Sequence, residues 1–334
     1  MRKNTYQIYD TRSVRVIRIA SGGDNELPAA NAYLVDDDVL TLIDTGCLWP
    51  DAERLFLQIF NSLGFDITDL KNIIITHGHG DHYGLAKRLT ELSGANVYIH
   101  KNDIHKVTGT RVKEFNVDFP SMRRFLLGMG MSGREIDDTR NTVNSFSNSI
   151  EQLEDVKPVE DGYVFRLGKS CMKVIHCPGH TPGSISIYDV NGGILFTGDY
   201  LLPEQISNAL IDPVFEKSRI YKSLASQLSS LERVKELSVE LAFPGHGSVF
   251  DDIHSAIDSA LGYFKEFRED VIRLMGDHEI GPTDIARRID STLTGLSLYV
   301  KMSDVLGMLE ILEEDGLVES SAEDGGVVFR RKKF

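Results

Sequence analysis

The feature that most constrains this chain is a short histidine-rich segment between a strand-like run and a helix-like run. Residues 72–76 read Asn-Ile-Ile-Ile-Thr, an apolar, β-branched pattern typical of a buried strand. Residues 85–89 begin a helical pattern, and His-Gly-His-Gly-Asp-His lies between the two runs from residue 77. The sequence therefore predicts a turn of the kind on which α/β folds place ligands and chemistry.

The spacing of the polar residues in this turn indicates a metal site. His77 and His79 alternate, so in an extended segment their side chains point the same way and can share one ion. Asp81 and His82 follow at the predicted helix entrance, directed towards a second position about 3.5–4 Å away, the separation usual for paired catalytic metals. The alternative is a polar loop whose histidines hydrogen-bond locally, and the density of ligand-type residues disfavours it.

The same pattern of strand, glycine-containing turn and ligand-type residue recurs along the chain. It delivers His180, Asp199 and His246, each after its own predicted strand. Each strand end would bring its residue to one edge of a sheet, so we expect these three side chains to join the first cluster. Cys177 lies three residues before His180, and we interpret it as a buried thiol rather than a ligand. We expect His100, which has no such neighbours, at the surface.

Composition limits the classes of function. The 334 residues are 41% hydrophobic and 26% charged, which is ordinary for a globular protein. The formal charge of −14 opposes strong non-specific affinity for nucleic acid, although it leaves room for a local basic groove. Three cysteines are too few for a disulfide framework and favour a reducing, cytoplasmic location. No signal-peptide pattern or membrane-length apolar run is found, so no membrane partner is predicted.

The motifs together resemble the metallo-β-lactamase fold superfamily over roughly residues 14–250. The matching pieces, in chain order, are Asp44-Thr45-Gly46, the cluster from His77 to His82, Pro-Gly-His ending at His180, Gly198-Asp199, and Pro-Gly-His ending at His246. The resemblance implies an α+β fold, an αββα sandwich in which two mixed sheets lie face to face, helices cover the outside and metals bind at one edge. We expect this domain to span residues 1–255.

The resemblance also implies a set of ligands. One metal would be bound by His77, His79 and His180, the other by Asp81, His82 and His246, with Asp199 bridging the two. Asp44 would orient a ligand without binding metal. Imidazole and carboxylate ligands suit two divalent ions, and we predict zinc, with iron or manganese as alternatives. Such a pair would generate a metal-bound hydroxide, with Asp81 orienting it and accepting its proton.

Two segments lie outside these motifs. Residues 101–155 lack strand alternation, and we interpret them as short helices that form a lid or substrate wall, with an ordinary surface insertion as the alternative. Residues 256–334 predict a helix, a second helix and a hairpin, an order that resembles a winged-helix domain. The second helix is acidic, which disfavours DNA binding and favours packing over the site or a homodimer interface.

The predicted function is a dinuclear metal-dependent hydrolase acting on a small molecule, with an acyl thioester or ester as the favoured substrate. The span from His82 to His180 is longer than in the glyoxalase II branch, which disfavours glutathione recognition. A single-strand endoribonuclease of the same superfamily is the first alternative. A winged-helix DNA-binding regulator with a vestigial hydrolase domain is the second, and the complete ligand set argues against it.

Overall fold

The computed structural model describes residues 6–21, 30–48, 51–108, 110–147, 150–211, 222–323 and 326–333. Its first sheet has seven strands whose spatial order follows the chain. They are β1 (Tyr6–Asp10), β2 (Arg15–Ser21), β3 (Ala30–Asp36), β4 (Thr41–Ile43), β5 (Asn72–Ile75), β6 (Asn96–His100) and β7 (Lys157–Val159). Pairing is antiparallel from β1 to β4 and parallel from β4 to β7, so the sheet is mixed.

The second sheet has five strands in the spatial order β12-β11-β10-β9-β8. They are β8 (Val164–Arg166), β9 (Cys171–His176), β10 (Ile185–Asp189), β11 (Ile194–Gly198) and β12 (Leu241–Pro244). Only β11 and β12 pair in parallel; the other neighbours are antiparallel. A third, two-stranded sheet joins β13 (Val318–Glu323) to β14 (Gly326–Arg331).

Helices cover the outer face of each large sheet. Those that follow the first sheet's strands are α1 (Ala52–Leu63), α2 (Gly80–Tyr83), α3 (Ala86–Ser93), α4 (Ile104–Val107), α5 (Thr110–Gly128) and α6 (Gly133–Ser147). The remaining helices are α7 (Ser223–Lys235), α8 (Ile253–Met275), α9 (Pro282–Ile289) and α10 (Gly295–Glu314).

The side chains of β5 show how the layers are built. Ile74 packs in the cluster between the two sheets, with Phe196 and Phe243 from the second sheet. Ile73 and Ile75 point the other way, into a cluster that includes Phe56 of α1. Because neighbouring strand residues face opposite sides, a continuous apolar run buries both faces of the sheet. The predicted αββα sandwich is thereby confirmed.

The two strands that the sequence analysis did not predict, β1 and β7, lie at the two edges of the first sheet. In β1 the side chains are half-buried or exposed, so its sequence lacks the apolar signal of an inner strand. In β7 the central residue is Pro158, which cannot donate to a ladder and is tolerated at an edge. Both strands were missed because edge strands carry weak apolar patterns.

The segment 101–155 differs from its prediction. It contains a short helix, α4, as predicted, but most of it forms two longer helices, α5 of 19 residues and α6 of 15 residues. Pro120 lies inside α5 and disguised its length in the sequence. Met122, Leu126 and Ile136 join one hydrophobic cluster with residues of α8 and α10, so this part of the segment packs on the C-terminal region. Its role as a lid stays a prediction.

The C-terminal region has the predicted order of helices and hairpin. Ile280, between α8 and α9, also forms an antiparallel bridge to Phe329 of the hairpin. Residues 302–309 of α10 are all buried. They span two turns, so every face of the helix is buried there. Leu224 of α7 and Leu309 of α10 share one cluster, so the division at residue 255 stays a prediction.

The close approach of α10 to α7 can be tested at Gly307. A Cβ built there would lie 2.7 Å from the Cβ of Leu224, whereas a Cβ at Gly262 of α8 would meet nothing within 4 Å. We expect Gly307→Ala to lower the free energy of unfolding by ~1–3 kcal/mol through overpacking. Gly262→Ala should leave it unchanged or raise it by up to ~1 kcal/mol. Urea unfolding measures both, and equal stabilities for the two variants would contradict the packing.

Candidate metal centre

The histidine-rich turn directs several side chains to one point at the end of β5. The strand stops at Ile75, and α2 begins at Gly80 after His79 in an extended conformation. His77 Nε2 lies 3.0 Å from His79 Nδ1. His180, which follows β9, brings its Nε2 to 3.0 Å from the same Nδ1 of His79. These three imidazoles form the first group of potential ligands.

The second group combines the end of the same turn with the loop after β12. His246 Nε2 lies 3.2 Å from Asp81 Oδ2, and His82 Nε2 lies 3.6 Å from the same oxygen. Asp81, His82 and His246 therefore converge on a point next to the first group. The segment Gly80–Tyr83 forms one helical turn after the extended His79, and it places the His82 ring centroid 4.1 Å from that of His77, so the two groups are in contact.

Asp199 lies between the two groups. Its Oδ2 is 3.8 Å from His180 Nε2 and 3.2 Å from His246 Nε2, and its Oδ1 is 3.3 Å from His82 Nε2. The turn that carries Asp199 follows β11, and Gly198 there has φ +53°. The structure thus brings all seven predicted ligand residues together.

The donor set fits divalent metal ions. His77, His82 and Asp199 form a third group of potential ligands. Within each of the three groups found among the described residues, the donor atoms lie within 4.8 Å of one another. Ligands about 2.0–2.1 Å from one tetrahedral ion stand roughly 3.3 Å apart, which is close to the observed spacings. His82 Nε2 and Asp199 Oδ1 are buried and, although 3.3 Å apart, lack a well-aligned hydrogen bond, and a metal would satisfy both atoms.

Gly245, which precedes His246, leaves room for the side chains of Asp199 and His82. A Cβ at this position would clash with Asp199 Oδ1 and would lie 2.7 Å from His82 Cε1. Glycine is therefore required next to His246 for a steric reason.

Asp44 supports the centre from behind. Its Oδ2 lies 2.8 Å from His82 Nδ1 and accepts the Thr76 hydroxyl at 2.7 Å, while its Oδ1 accepts the Thr76 amide. Thr76 Oγ1 lies 3.2 Å from His77 Nδ1, so one carboxylate fixes an imidazole in each group. Asp44 is also the one described non-glycine residue with positive φ, +54°, a conformation that Asp tolerates better than most residues.

A second supporting carboxylate, Asp103, was missed in the sequence. It is fully buried after β6 and accepts hydrogen bonds from the Gly78 amide at 2.8 Å, the Thr181 hydroxyl at 2.7 Å and the Gly183 amide at 2.9 Å. Gly78 lies between His77 and His79, and the other two donors follow His180. Asp103 therefore ties together the two loops of the first group. No motif marks it, because its three partners are distant in sequence or are backbone amides.

The loop carrying His246 is held by the first sheet. The Asn31 side-chain amide donates to the Pro244 carbonyl at 2.8 Å, and the Tyr33 hydroxyl donates to the same carbonyl at 2.5 Å. The Asn31 backbone amide donates to the Gly245 carbonyl at 2.7 Å. These bonds cross between the sheets at the edge where the ligand residues meet. They too were invisible in the sequence.

The pKa values of the imidazoles are shifted in opposite directions in the two groups. Burial, reinforced by neighbouring imidazoles, lowers the pKa of His77 and His79 well below its usual range and also lowers that of His180. Burial opposes the charged form of His82 as well, but the carboxylates of Asp199, Asp81 and Asp44 raise its pKa. The first group thus holds neutral imidazoles, the form that binds metal.

Two expectations outside the centre have opposite outcomes. Cys177 is fully buried, and burial raises the pKa of its thiol to about 11, so the expected burial of this thiol is confirmed. The surface position expected for His100 is wrong, because its side chain is buried and stacks on His176 at 4.0 Å between ring centroids. Burial, followed by the neighbouring His176, lowers the pKa of His100 to about 4.

A family model described as the metallo-beta-lactamase superfamily matches residues 26–246. The chain belongs to this superfamily. It is a metal-dependent hydrolase, as its membership and its hydrolase-named relatives show. Among the helices that the structure describes, none combines the length and hydropathy needed to cross a bilayer.

Some proteins resemble the chain over nearly its whole length. It is 23% identical to "Probable metallo-hydrolase YqjP" of Bacillus subtilis, covering 90% of this chain and 93% of that protein. It is 23% identical to "Atrochrysone carboxyl ACP thioesterase dmxR1" of a Cryptosporiopsis species, covering 95% and 82%. The crystal structure of a metallo-beta-lactamase family protein, TTHA1429 of Thermus thermophilus, matches with TM-score 0.79 at 22% identity, covering 95% and 98%. The fold is thus shared beyond residue 246.

Asp103 provides a test of the support for the first group. We expect Asp103→Asn to weaken metal affinity about 10–100-fold, because the new amide points a donor at existing donors and loosens the loops of His77 and His180. Competition with a chromophoric chelator measures the affinity. Asp155→Asn, a change of the same chemistry at an exposed position, is the control. Wild-type affinity in Asp103→Asn would contradict the supporting role.

Proposed function

We propose that the chain is a dinuclear metal hydrolase that cleaves an acyl thioester or ester. The observation that carries this proposal is the convergence of seven donor side chains in overlapping groups, with Asp199 in contact with residues of both halves. We assign His77, His79 and His180 to one ion. We assign Asp81, His82 and His246 to the other, with Asp199 bridging them.

Zinc is the proposed metal in both positions. The donors are imidazole nitrogens and carboxylate oxygens, which zinc accepts readily, and iron or manganese would also be accommodated. When bound, two divalent cations supply Lewis-acid polarisation of the substrate carbonyl and lower the pKa of a water molecule.

Asp81 is the proposed proton acceptor. Its side chain is 29% exposed, whereas the side chains of His82 and Asp199 are 0% and 10% exposed. Burial disfavours its ionised form, but the neighbouring His82 and a hydrogen bond from His246 lower the pKa of Asp81, which favours the carboxylate. An ionised carboxylate facing solvent can orient an attacking water and take its proton.

The bond changes of the proposed reaction are simple. The water oxygen adds to the acyl carbon, and Asp81 receives the proton that the water loses. The carbon–sulfur bond then breaks, and Asp81 returns its proton to the leaving sulfur, which departs as a thiol. The carboxylic acid product loses its remaining proton to solvent and leaves as a carboxylate. An ester would follow the same course with an alcohol as the leaving group.

The thioester preference has support from a relative. One protein similar to this chain over 95% of its length bears the name of an acyl-carrier-protein thioesterase. Its chemistry agrees with a centre that polarises a carbonyl and activates water. We therefore place acyl thioesters first among substrates and esters second.

The nucleic-acid alternatives receive less support. A helix that reads DNA must present a face to the groove, whereas residues 302–309 of α10 are buried on every face. The formal charge of −14 also opposes phosphate binding. The bridge between Ile280 and Phe329 supports a winged-helix topology for the C-terminal region, which we propose acts in packing rather than in DNA binding.

The test is turnover of a panel of acyl thioesters and esters by zinc-loaded protein. We expect hydrolysis of at least one acyl thioester, loss of that activity on chelation, and recovery when metal is restored. Asp81→Asn should lose at least 100-fold in kcat while circular dichroism shows a folded protein, because a general base contributes about 10²–10⁴-fold.

Asp251→Asn, an exposed acid on the same domain, is the matched control and should keep wild-type turnover. Full activity in Asp81→Asn would contradict the assigned proton acceptor. Turnover of RNA but not of any thioester or ester by the metal-loaded protein would replace the proposed substrate class by the endoribonuclease alternative.

A further inference from the structure

The imidazole of His180 is oriented by a loop that has no regular secondary structure. His180 Nδ1 lies 3.0 Å from the backbone carbonyl oxygen of Asn208. This bond directs Nε2 towards His79 and Asp199. Imidazole ligands usually donate their second ring nitrogen in this way, and the acceptor fixes both the tautomer and the ring plane. The position of the Asn208 carbonyl therefore sets the position of a ligand nitrogen.

The loop around Asn208 is held from two helices. From α7, the Gln227 side-chain amide donates to the Ser207 carbonyl at 3.2 Å, and the Ser223 hydroxyl donates to the Ala209 carbonyl at 3.1 Å. These bonds fix the residues on either side of Asn208, but they leave its own side chain and the Ala209 amide to another partner.

That partner is Asp304, on α10 of the C-terminal region. Its Oδ2 accepts the Asn208 side-chain amide at 2.8 Å, and its Oδ1 accepts the Ala209 backbone amide at 3.1 Å. Asp304 is 2% exposed, and Lys301 Nζ lies 3.5 Å from its Oδ2. Burial raises the pKa of Asp304, but Lys301 and the hydrogen bonds from Asn208 and Ala209 oppose this shift. The same helix supplies a further anchor, since the Tyr299 hydroxyl donates to the Ile211 carbonyl at 2.5 Å.

We infer that Asp304 is a positioning residue through which the C-terminal region completes the metal centre. It fixes the Asn208 loop, and the loop fixes His180. This inference rests on the proposed assignment of His180 as a ligand. It gives the C-terminal region a role in metal binding, in addition to its packing on the insertion and on α7. Asp304 itself would touch neither metal nor substrate.

Removal of the Asp304 carboxylate should weaken the binding of one metal ion and not of the other. In Asp304→Ala the Asn208 side chain and the Ala209 amide lose their acceptor, so His180 loses its fixed orientation. We expect the affinity for one of the two ions to fall about 10–100-fold, the range typical when the partner of a ligand is removed. The affinity for the other ion, bound by Asp81, His82 and His246, should change by less than about threefold.

A matched control separates positioning from stability. Ser303 is the neighbouring buried residue, and its hydroxyl donates within α10 to the Tyr299 carbonyl. Ser303→Ala removes a buried hydrogen bond of the same helix without releasing the loop, and should bind both ions as wild type does. Asn208→Ala is a second variant at a half-buried position, where failure to fold is not expected. It should reproduce the loss of affinity seen in Asp304→Ala.

The measurement is stepwise zinc binding by competition with a chromophoric chelator, together with urea unfolding of the metal-free proteins. Weakening of one binding step in Asp304→Ala and Asn208→Ala, but not in Ser303→Ala, is the expected result. If a double variant that combines Asp304→Ala with Asn208→Ala weakens that step no further than either single variant does, the two residues act as one unit. Wild-type affinity in both single variants, or equal weakening of both steps, would overturn the inference.

These readouts need no substrate. Selective loss of one ion, with no thioester or ester turnover by the wild-type protein, would uphold the inference and overturn the proposed substrate class. Thioester turnover by the wild-type protein, with unchanged metal affinity in both variants, would support the proposed substrate class and overturn the inference about Asp304.

Discussion

The fold has to stabilise a dense group of polar side chains at one edge of the two sheets. Burying an imidazole or a carboxylate costs several kcal/mol unless it is hydrogen-bonded, paired or bound to a metal. The chain meets this cost with a shell of partners, in which Asp44, Asp103 and the Asn208 carbonyl each fix at least one ligand residue. The strand ends bring the seven donors together, and the shell fixes the imidazoles of His77, His82 and His180.

Much of the fold could be predicted because its inner strands have unmistakable patterns. The run Ile73 to Ile75 is buried on both faces, so it read as a strand without any structural information. The edge strands could not be found in this way, since β1 alternates weakly and β7 contains Pro158. The length of α5 was hidden for a related reason, because a proline inside a helix has the same appearance in sequence as a helix end.

The candidate site shows the same division between local and distant information. His77 to His82 are local in sequence, and the glycine-containing strand ends mark His180, Asp199 and His246. Asp103 and Asp304 could not be found, because their partners lie 25 to 96 residues away and several are backbone amides. His100 was misplaced at the surface for the same reason, since only the fold brings His176 against it. Asp44 could be predicted as a supporting residue because it belongs to the Asp44-Thr45-Gly46 motif, whereas Asp103 and Asp304 belong to no motif.

We propose that one chain binds two metal ions and that Asp199 contacts both. The most direct measurement is native mass spectrometry of the metal-free protein titrated with zinc, for the wild type and for Asp199→Ala. We expect two ions per wild-type chain. We expect weakened binding of both ions in Asp199→Ala, because the Asp199 carboxylate contacts both groups. One ion per wild-type chain at saturation, or loss of a single ion with the other unchanged in the variant, would contradict it.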